Sequence, residues 1–356
     1  MKLLGIRLCD HDSNITITDG TKIQYHKTER HYGVKHHHLA FDRLKDYLTE
    51  KGIDLSQIDD AAIVVDEQNI EKVHSLVQLG LKCKIEKIDH HLAHALSVWP
   101  ISNTEENTTD FILDGYGDYK VHHTILKHKR KHVEWNLDEM KSLGMQFGEF
   151  GANIGMKGND IDFAGKLMAL KSWYSKDVQF CNSLNNIHFV NVQEIFNFNR
   201  WIEHKGSRYV AENTKVEWFA NLHMWLESTI TKYFKLYAKP DDKISFSGGV
   251  AQNICFNEQL GKYFKNLSIP PHANDEGLSL GAVEYLRKKH NLEHFDNSGF
   301  PYWQSDEAPE TTASSSTIKQ SAELLAQGKV LGWYQGHGEV GPRALGNRSI
   351  LMTPCI

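Results

Sequence analysis

The sequence has few cysteines and prolines and no long apolar run. Its 356 residues include 5 cysteines and 8 prolines. The cysteines are odd in number and far apart, which argues against a disulfide framework and against a CxxC zinc site. No stretch approaches the ~18 apolar residues that cross a bilayer, and the N-terminus becomes charged too early for a secretory signal. We therefore expect a cytoplasmic protein with no membrane association.

The chain also lacks a strong excess of positive charge. Its formal net charge is -5 at pH 7, and lysine and arginine are scattered along the sequence. Proteins that bind nucleic acid usually carry a basic stripe, so a nucleic-acid partner is not expected. A hydrophobic content of 40% is enough for a sizeable core, and a length of this order predicts about two domains.

Histidine, in contrast, is abundant, and one pair has the spacing of metal ligands. We expect a helix that is capped by Asp89 and stopped by Pro100, which places His90 and His94 on one face. Two imidazoles one turn apart can hold one divalent ion, and such ions commonly accept a carboxylate as a third ligand. Asp275, in a loop before a predicted helix at 278–289, is the candidate. Surface histidines and a simple helix N-cap are the ordinary alternatives.

The predicted strands and helices repeat in two halves. The first half has three strands within residues 3–28, with Asp19-Gly20 as a hairpin turn, then a helix at 39–50, a strand at 61–65, a helix at 70–79 and a strand at 84–88. The second half begins with three strands at 111–113, 119–127 and 132–137. This order is typical of a duplicated actin/hexokinase-like (ribonuclease-H-like) α/β domain, which binds nucleotides.

Candidate nucleotide-binding residues lie in the second half. A strand at 244–246 leads into paired glycines, where a nucleotide can approach the backbone because no Cβ intervenes. A lysine on a predicted helix at 162–170 can reach a phosphate, although a solvated helix lysine is the commoner case. The candidates are Gly115, Lys166, Gly248, Gly249, Gln252 and Asn253.

The C-terminal part indicates the start of a second α/β domain. We assign residues 1–295 to one domain with lobes at about 1–105 and 106–295, residues 296–317 to a polar linker and residues 318–356 to a further fragment. Arg343 and Arg348, among glycines, suit a phosphate or carboxylate anion. One helix, one strand and a loop cannot bury a core, so we expect this fragment to be incomplete or to dock elsewhere.

Together these motifs resemble the O-carbamoyltransferase family of nodulation, cephamycin and tobramycin biosynthesis, over nearly the whole chain. The sequence departs from the family pattern at Gly336-His337, at residues 169–173 and in the short second domain. The matching segments are Leu4-Gly5 with His11-Asp12-Ser13, Glu29-Arg30 with Lys35-His36, residues 89–95, Asp114-Gly115 with Gly117, residues 165–168, residues 247–253, Asn274-Asp275 with Gly277, and residues 341–349.

The resemblance implies a reaction. Members are similar to the transferase that attaches threonylcarbamoyl to tRNA in their first domain and to a threonylcarbamoyl-adenylate synthase in their second. By that likeness, ATP and carbamoyl phosphate form a carbamoyl-adenylate, and the carbamoyl group passes to a hydroxyl of a small acceptor. The likeness assigns the metal to His90, His94 and Asp275, with iron(II) implied and magnesium as an alternative, and carbamoyl phosphate to Arg343 and Arg348.

The remaining expectations follow from that reaction. A hydroxyl acceptor needs a general base, for which His11 and Asp12 are the candidates, a polar turn being the alternative. A separate chain that supplies the rest of the C-terminal domain is an expected partner. Two other functions stay open: a non-catalytic actin-like nucleotide-binding subunit or sensor, and threonylcarbamoyl transfer to tRNA, which the lack of a basic face disfavours.

Overall fold

The computed structural model describes residues 1–8, 11–66, 69, 73, 80–102, 107–128, 130–184, 192, 196–206, 214–304 and 313–354. The chain divides into two compact units, residues 1–101 with 275–356 and residues 102–274. Among the helices of the described residues, none combines the length and apolar character needed to cross a bilayer. The predicted helix at 70–79 lies outside the described residues, apart from position 73.

The order of strands and helices along the chain follows the expectation from the sequence. The strands are β1 Leu3–Arg7, β2 Asn14–Thr18, β3 Ile23–Lys27, β4 Asp60–Val64, β5 Ile85–Lys87, β6 Thr108–Leu113, β7 Val121–Lys127, β8 Arg130–Asn136, β9 Lys243–Ser247, β10 Asn266–Ser268, β11 Leu331–Tyr334 and β12 Arg348–Leu351. The helices are α1 Thr28–Tyr32, α2 Phe41–Glu50, α3 His90–Ser102, α4 Leu143–Asn153, α5 Phe163–Leu170, α6 Val178–Asn182, α7 Phe198–His204, α8 Thr214–Phe234, α9 Ile254–Gly261, α10 Leu278–Lys289 and α11 Ser315–Ala326.

The first sheet has the strand order β3-β2-β1-β4-β5. Strands β1 to β3 form an antiparallel meander, whereas β4 and β5 continue the sheet in parallel with β1. The predicted turn between β2 and β3 is present: the Asp19 carboxylate accepts hydrogen bonds from the amides of Thr21 and Lys22. A short side chain that satisfies turn amides in this way is typical of a tight hairpin.

The second sheet repeats this topology, with the order β10-β9-β6-β7-β8. Strands β6 to β8 are an antiparallel meander, and β9 and β10 extend it in parallel. The duplication predicted from the strand order is therefore confirmed. Its core includes a stacked pair of rings, Phe111 of β6 and Phe234 of α8, whose centroids are 3.8 Å apart.

Alternation along β1 assigns its two faces. Leu4 and Ile6 belong to a buried cluster with Leu44 of α2. Leu3, on the opposite face, belongs to a cluster with Ala282 and other residues of α10. Because side chains two apart in a strand share a face, Arg7 lies on the same side of the sheet as Leu3, the side covered by α10.

Helix α3 runs further than the sequence predicts. It continues through Pro100 and ends at Ser102, so the expected stop at Pro100 is wrong. A proline removes one backbone hydrogen bond and crowds the carbonyl four residues earlier, which can kink a helix without ending it. Here Pro100 falls in the last turn, and the helix extends two residues beyond it.

The C-terminal elements differ from the rest of the first unit in how much of them is buried. Trp303 and Val340 are buried together with Tyr25 of β3 and Leu280 of α10. Farther along, β11 and β12 form a two-stranded antiparallel sheet. None of the residues of α11 is buried.

Candidate functional site

The two predicted metal ligands of α3 are buried and close together. Asp89 accepts a hydrogen bond of 2.8 Å from the amide of Leu92, as the predicted N-cap does. His90 and His94 are 3% and 0% exposed, and their ring centroids are 4.9 Å apart. Solvated surface histidines would not be enclosed in this way, so the ordinary alternative does not apply to this pair.

Asp275 lies beside the two imidazoles, although 181 residues separate it from His94 in the sequence. Its Oδ1 is 3.4 Å from Nε2 of His90 and 3.4 Å from Nε2 of His94. The close approach of α10 to α3 makes this possible, since a Cβ at Gly281 would be only 2.0 Å from the carbonyl oxygen of Ala93. Asp275 begins a short turn before α10 rather than capping that helix.

A buried arginine completes the environment of Asp275. Nη2 of Arg7 donates a 2.9 Å hydrogen bond to Oδ2 of Asp275, and Asn14 donates to the backbone oxygen of Asp275 at 3.0 Å. Burial by itself would raise the pKa of Asp275, but the charges of His90 and Arg7 hold that pKa well below its usual range. The carboxylate is therefore ionised. We did not predict Arg7, although a charged residue in an apolar strand was the available signal.

The donor atoms fit a divalent metal ion. One nitrogen each from His90 and His94 and one oxygen of Asp275 all lie within 4.8 Å of one another. Two imidazoles and one carboxylate suit iron(II), zinc or manganese, whereas magnesium prefers oxygen ligands. His91 is not part of this group, in agreement with its different direction on the helix.

His11 and Asp12 form a hydrogen-bonded pair on the loop after β1. Nδ1 of His11 is 2.9 Å from Oδ2 of Asp12, and the side chain of His11 is 35% exposed while that of Asp12 is 2% exposed. Burial disfavours the imidazolium, yet the hydrogen bond to Asp12 and the charge of Asp275 raise the pKa of His11 to about 9. At neutral pH His11 is therefore a positively charged imidazolium, and it can act as a base only after losing one proton.

The glycine-bearing loop after β9 lies in the second unit, close to Asp114. The amide of Gly249 donates a 2.7 Å hydrogen bond to Oδ1 of Asp114, next to Gly115. A Cβ at Gly248 would come within 2.2 Å of the carbonyl oxygen of Leu113, and the residue has a φ of +88°. The structure thus brings Gly115, Gly248 and Gly249 together, and local backbone packing alone requires the glycine at 248.

Asn253 is held at the start of α9 by a buried polar chain. Its Oδ1 accepts hydrogen bonds from the amides of Cys255 and Phe256, and its Nδ2 is 2.9 Å from Nε2 of His223. The other nitrogen of His223 is 2.9 Å from Glu227, which also accepts a 2.6 Å hydrogen bond from Lys171. No local sequence pattern indicates this series of hydrogen bonds, because its members come from three separate segments.

The other predicted nucleotide-binding residues have ordinary local positions. Gln252 donates a hydrogen bond of 3.2 Å to the carbonyl oxygen of Pro271. Lys166 is exposed on α5, with its ammonium 5.9 Å from the ring centroid of Phe163. Their contact with a nucleotide stays a prediction.

Glu339, which we did not single out, organises the loop that carries the two predicted anion-binding arginines. One oxygen accepts hydrogen bonds from the amides of Leu345, Asn347 and Arg348, and the other accepts one of 2.5 Å from Nε of Arg348. Arg343 is exposed on the same loop. Burial opposes ionisation of Glu339, but Arg348 and these amides lower its pKa to about 2.

Comparison with solved structures agrees with the duplicated topology. HypF of T. kodakarensis matches with a TM-score of 0.55 and 13% identity, over 82% of this chain and 48% of that protein. The activator of the 2-hydroxyisocaproyl-CoA dehydratase from Clostridium difficile, solved with bound ADPNP, matches with a TM-score of 0.50 and 13% identity, over 82% of this chain and 98% of the activator. The fold is a duplicated actin/hexokinase-like α/β fold, as predicted.

Family models define the chain more closely. One described as Carbamoyltransferase N-terminus matches residues 71–283, and one described as Carbamoyltransferase C-terminus matches residues 322–356. The chain belongs to the carbamoyltransferase family, which confirms the resemblance noted from its motifs.

Curated relatives include proteins of the expected kinds. Nodulation protein NolO of Bradyrhizobium diazoefficiens is 26% identical over 75% of this chain and 53% of its own length. A 3'-hydroxymethylcephem-O-carbamoyltransferase of Streptomyces clavuligerus is 37% identical over 30% of this chain and 22% of its own length. The chain spans about half the length of the first of these relatives.

Proposed function

We propose that this chain carries the carbamoyl-transfer site of an ATP- and metal-dependent O-carbamoyltransferase. The carbamoyl group would come from carbamoyl phosphate through an ATP-derived carbamoyl-adenylate and pass to a hydroxyl of a small molecule. The convergence of His90, His94 and Asp275 in a member of the carbamoyltransferase family carries this proposal. A nucleotide-binding subunit without chemistry has no need of that convergence.

The metal site matches the charge that develops in such a transfer. A divalent ion held by His90, His94 and Asp275, with iron(II) preferred, would supply Lewis-acid chemistry toward anionic oxygens. Two sets of contacts orient the carboxylate of Asp275 for an ion. Arg7 donates a 2.9 Å hydrogen bond to one of its oxygens, and the other oxygen is 3.4 Å from each of the two imidazoles. This enclosed geometry needs little rearrangement on binding, which favours electrostatic stabilisation of the reaction.

The transfer step assigns roles to the loop after β1. The acceptor oxygen forms a bond to the carbamoyl carbon, the bond from that carbon to the adenylate oxygen breaks, and AMP leaves. The hydroxyl proton passes to a base, for which the pair of His11 and Asp12 is our candidate. Burial opposes ionisation of Asp12, but hydrogen bonds from His11 and His36 hold its pKa well below the usual range, so the pair would act as a base once His11 has lost its proton.

We extend the proposal to the C-terminal fragment. The large apolar side chains of Ile318, Val330 and Ile350 are 54%, 61% and 78% exposed. Several exposed side chains of this kind on neighbouring elements are unusual. We propose that the remainder of the carbamoyl-adenylate-forming domain covers them, on the same or a separate polypeptide. Arg343 and Arg348 would then face carbamoyl phosphate, for which the planar guanidinium is suited.

The proposal is tested by reconstitution. The purified chain is combined with the remainder of a family C-terminal domain, ATP, carbamoyl phosphate and a panel of polyols, amino alcohols and sugars, and AMP and carbamate esters are measured by mass spectrometry. We expect both products, and their loss in Asp275→Asn. The His91→Ala variant, altered beside the metal group but not in it, is the matched control and should keep activity.

A different result would identify a different function. If the reconstituted protein binds ATP but releases no AMP with any acceptor, the chain is a nucleotide-binding module. If Asp275→Asn and the unchanged chain form products at the same rate, the metal site takes no part in transfer.

A further inference from the structure

A second group of potential metal ligands lies in the first unit, apart from the histidines of α3. It consists of Asp12 on the loop after β1, Glu29 of α1 and His36 on the loop between α1 and α2. One donor atom from each lies within 4.8 Å of the other two. None of these residues has a role in the metal site formed by His90, His94 and Asp275.

The distances within this group match neighbouring ligands of one ion. Nδ1 of His36 is 3.2 Å from Oδ1 and 3.3 Å from Oδ2 of Asp12. Two ligands at right angles, each about 2.1 Å from an ion, are about 3 Å apart. The backbone amide of His36 donates a 2.8 Å hydrogen bond to Oε2 of Glu29, which holds that carboxylate beside the imidazole.

A buried glutamate adds an independent sign that a cation belongs here. Glu276 is 1% exposed, and its Oε2 has no hydrogen-bond partner among the described residues. Its Oε1 contacts Nζ of Lys27 at 2.5 Å, and the same ammonium is 3.2 Å from Glu29 and 4.0 Å from Asp12. Glu276 therefore shares the ammonium of Lys27 with Glu29 and Asp12, and its Oε2 is not used in a hydrogen bond among the described residues.

The group holds three carboxyl groups and two neighbouring cations. Asp12, Glu29 and Glu276 lie around the ammonium of Lys27, which is closest to Glu276, and Asp12 also contacts the protonated imidazole of His11. The side chains of Asp12, Glu276 and Lys27 are at most 2% exposed, and buried charge that is left without compensation is costly. A cation bound on the side of Asp12, Glu29 and His36 would relieve this excess.

The backbone is held in an uncommon conformation at two of the three ligands. Asp12 and His36 have φ values of +54° and +55°. Residues other than glycine adopt this region rarely, and such strain persists where the surrounding structure fixes a side chain for a purpose. The conformation agrees with a site in which the direction of both side chains matters.

We propose that Asp12, Glu29 and His36 form a second divalent-cation site. Two carboxylates and one imidazole suit manganese or a similar ion, with open positions completed by solvent or by oxygens of a bound molecule. The partly exposed sides of Glu29 and His36, at 21% and 14%, give an ion access. The site shares Asp12 with the base of the proposed transfer, but cation binding itself needs neither nucleotide nor transfer.

Manganese binding to the full chain tests this site without an activity assay. His90→Ala removes the first site, so that electron paramagnetic resonance and calorimetry with Mn²⁺ report the second alone. We expect this variant to bind one Mn²⁺ per chain. Adding Glu29→Gln or His36→Asn should weaken that binding at least tenfold, and asparagine is chosen because it tolerates a positive φ. Adding Glu50→Gln, an exposed carboxylate of α2, should leave it unchanged.

The outcomes separate this inference from the proposed function. The inference is wrong if His90→Ala binds no Mn²⁺, or if neither added variant weakens binding while circular dichroism shows both to be folded. If the unaltered chain binds one Mn²⁺ that is lost in Glu29→Gln and kept in His90→Ala, the second site stands and the metal centre of the proposed function fails.

Discussion

Gly281 of α10 packs directly on the backbone of Ala93 in α3, so closely that a Cβ at position 281 would lie 2.0 Å from the Ala93 carbonyl oxygen. Ala93 stands between His90 and His94 on its helix, and Gly281 follows Asp275 by six residues in the sequence. This contact sets the distance between the carboxylate and the two imidazoles. Any side chain at position 281 would force the helices apart.

We predict that Gly281→Ala weakens metal binding at least tenfold and destabilises the fold by about 1–3 kcal/mol, the usual cost of overpacking. Alanine is more favourable in a helix than glycine by about 1 kcal/mol, so helix propensity alone would make Gly281→Ala more stable. A less stable variant therefore indicates crowding. Metal titration and urea unfolding measure the two effects. Gly261→Ala, at the end of α9 with no atom within 4 Å of the added Cβ, is the control. Equal stability of both variants would show that α10 can shift without cost.

The metal centre makes a second prediction. His90→Ala and Asp275→Ala should each abolish binding at this site, because each removes one of the few protein ligands of the ion. His91→Ala should retain the metal, since its ring lies outside the group. Metal analysis of the purified proteins, with Fe²⁺ added under anaerobic conditions, decides this. Retention of the metal by Asp275→Ala would remove the link between α3 and the turn before α10.

The pair of His11 and Asp12 makes a third prediction, for protein kept free of metal. Burial lowers the pKa of His11, but the hydrogen bond to Asp12 and the charge of Asp275 outweigh it, so that the pKa is raised to about 9. A raised histidine pKa stabilises the fold fully below pH 6.5, and this contribution is lost as the pH rises through 9. Titration by NMR should find this value, and Asp12→Asn should move it toward 6.5. Asp19→Asn, the control in the β2–β3 turn, should leave the pKa of His11 unchanged. An unchanged pKa of His11 in Asp12→Asn would show that the two side chains are not paired.

A fourth prediction concerns Glu339 and the arginine loop. Its pKa is lowered from 4.5 to about 2, so its contribution is complete above pH 4.5 and is lost as the pH falls toward 2. This contribution is at most about 3–4 kcal/mol, since one pKa unit corresponds to about 1.4 kcal/mol. Glu339→Gln should therefore loosen residues 341–351, and faster amide hydrogen exchange at Leu345, Asn347 and Arg348 would show it. Glu323→Gln on exposed α11 is the control. Unchanged exchange would mean that the loop is held by other contacts.

Much of the fold could be predicted because its signals are local. The Asp19-Gly20 turn, the alternating strands and the helices α2 and α10 each depend on neighbours within a few residues, and the structure shows these elements with only small shifts at their ends. The repeated order of strands then predicted two sheets of equal topology. The main local error was at Pro100, because a proline can kink a helix without ending it.

In the candidate metal site, too, some features follow from the local sequence and others only from tertiary packing. The spacing of His90 and His94 on one helical face follows from the helix period alone, so the sequence determined that pair. Only the tertiary structure decided which carboxylate joins it, because the approach of α10 to α3 depends on a glycine-to-backbone contact between positions 281 and 93. The same holds for Arg7 at Asp275, Glu339 at Arg348, and Glu29 and Glu276 around Lys27. Buried charges take partners from whichever elements packing brings near, and no local pattern in a single sequence records that choice.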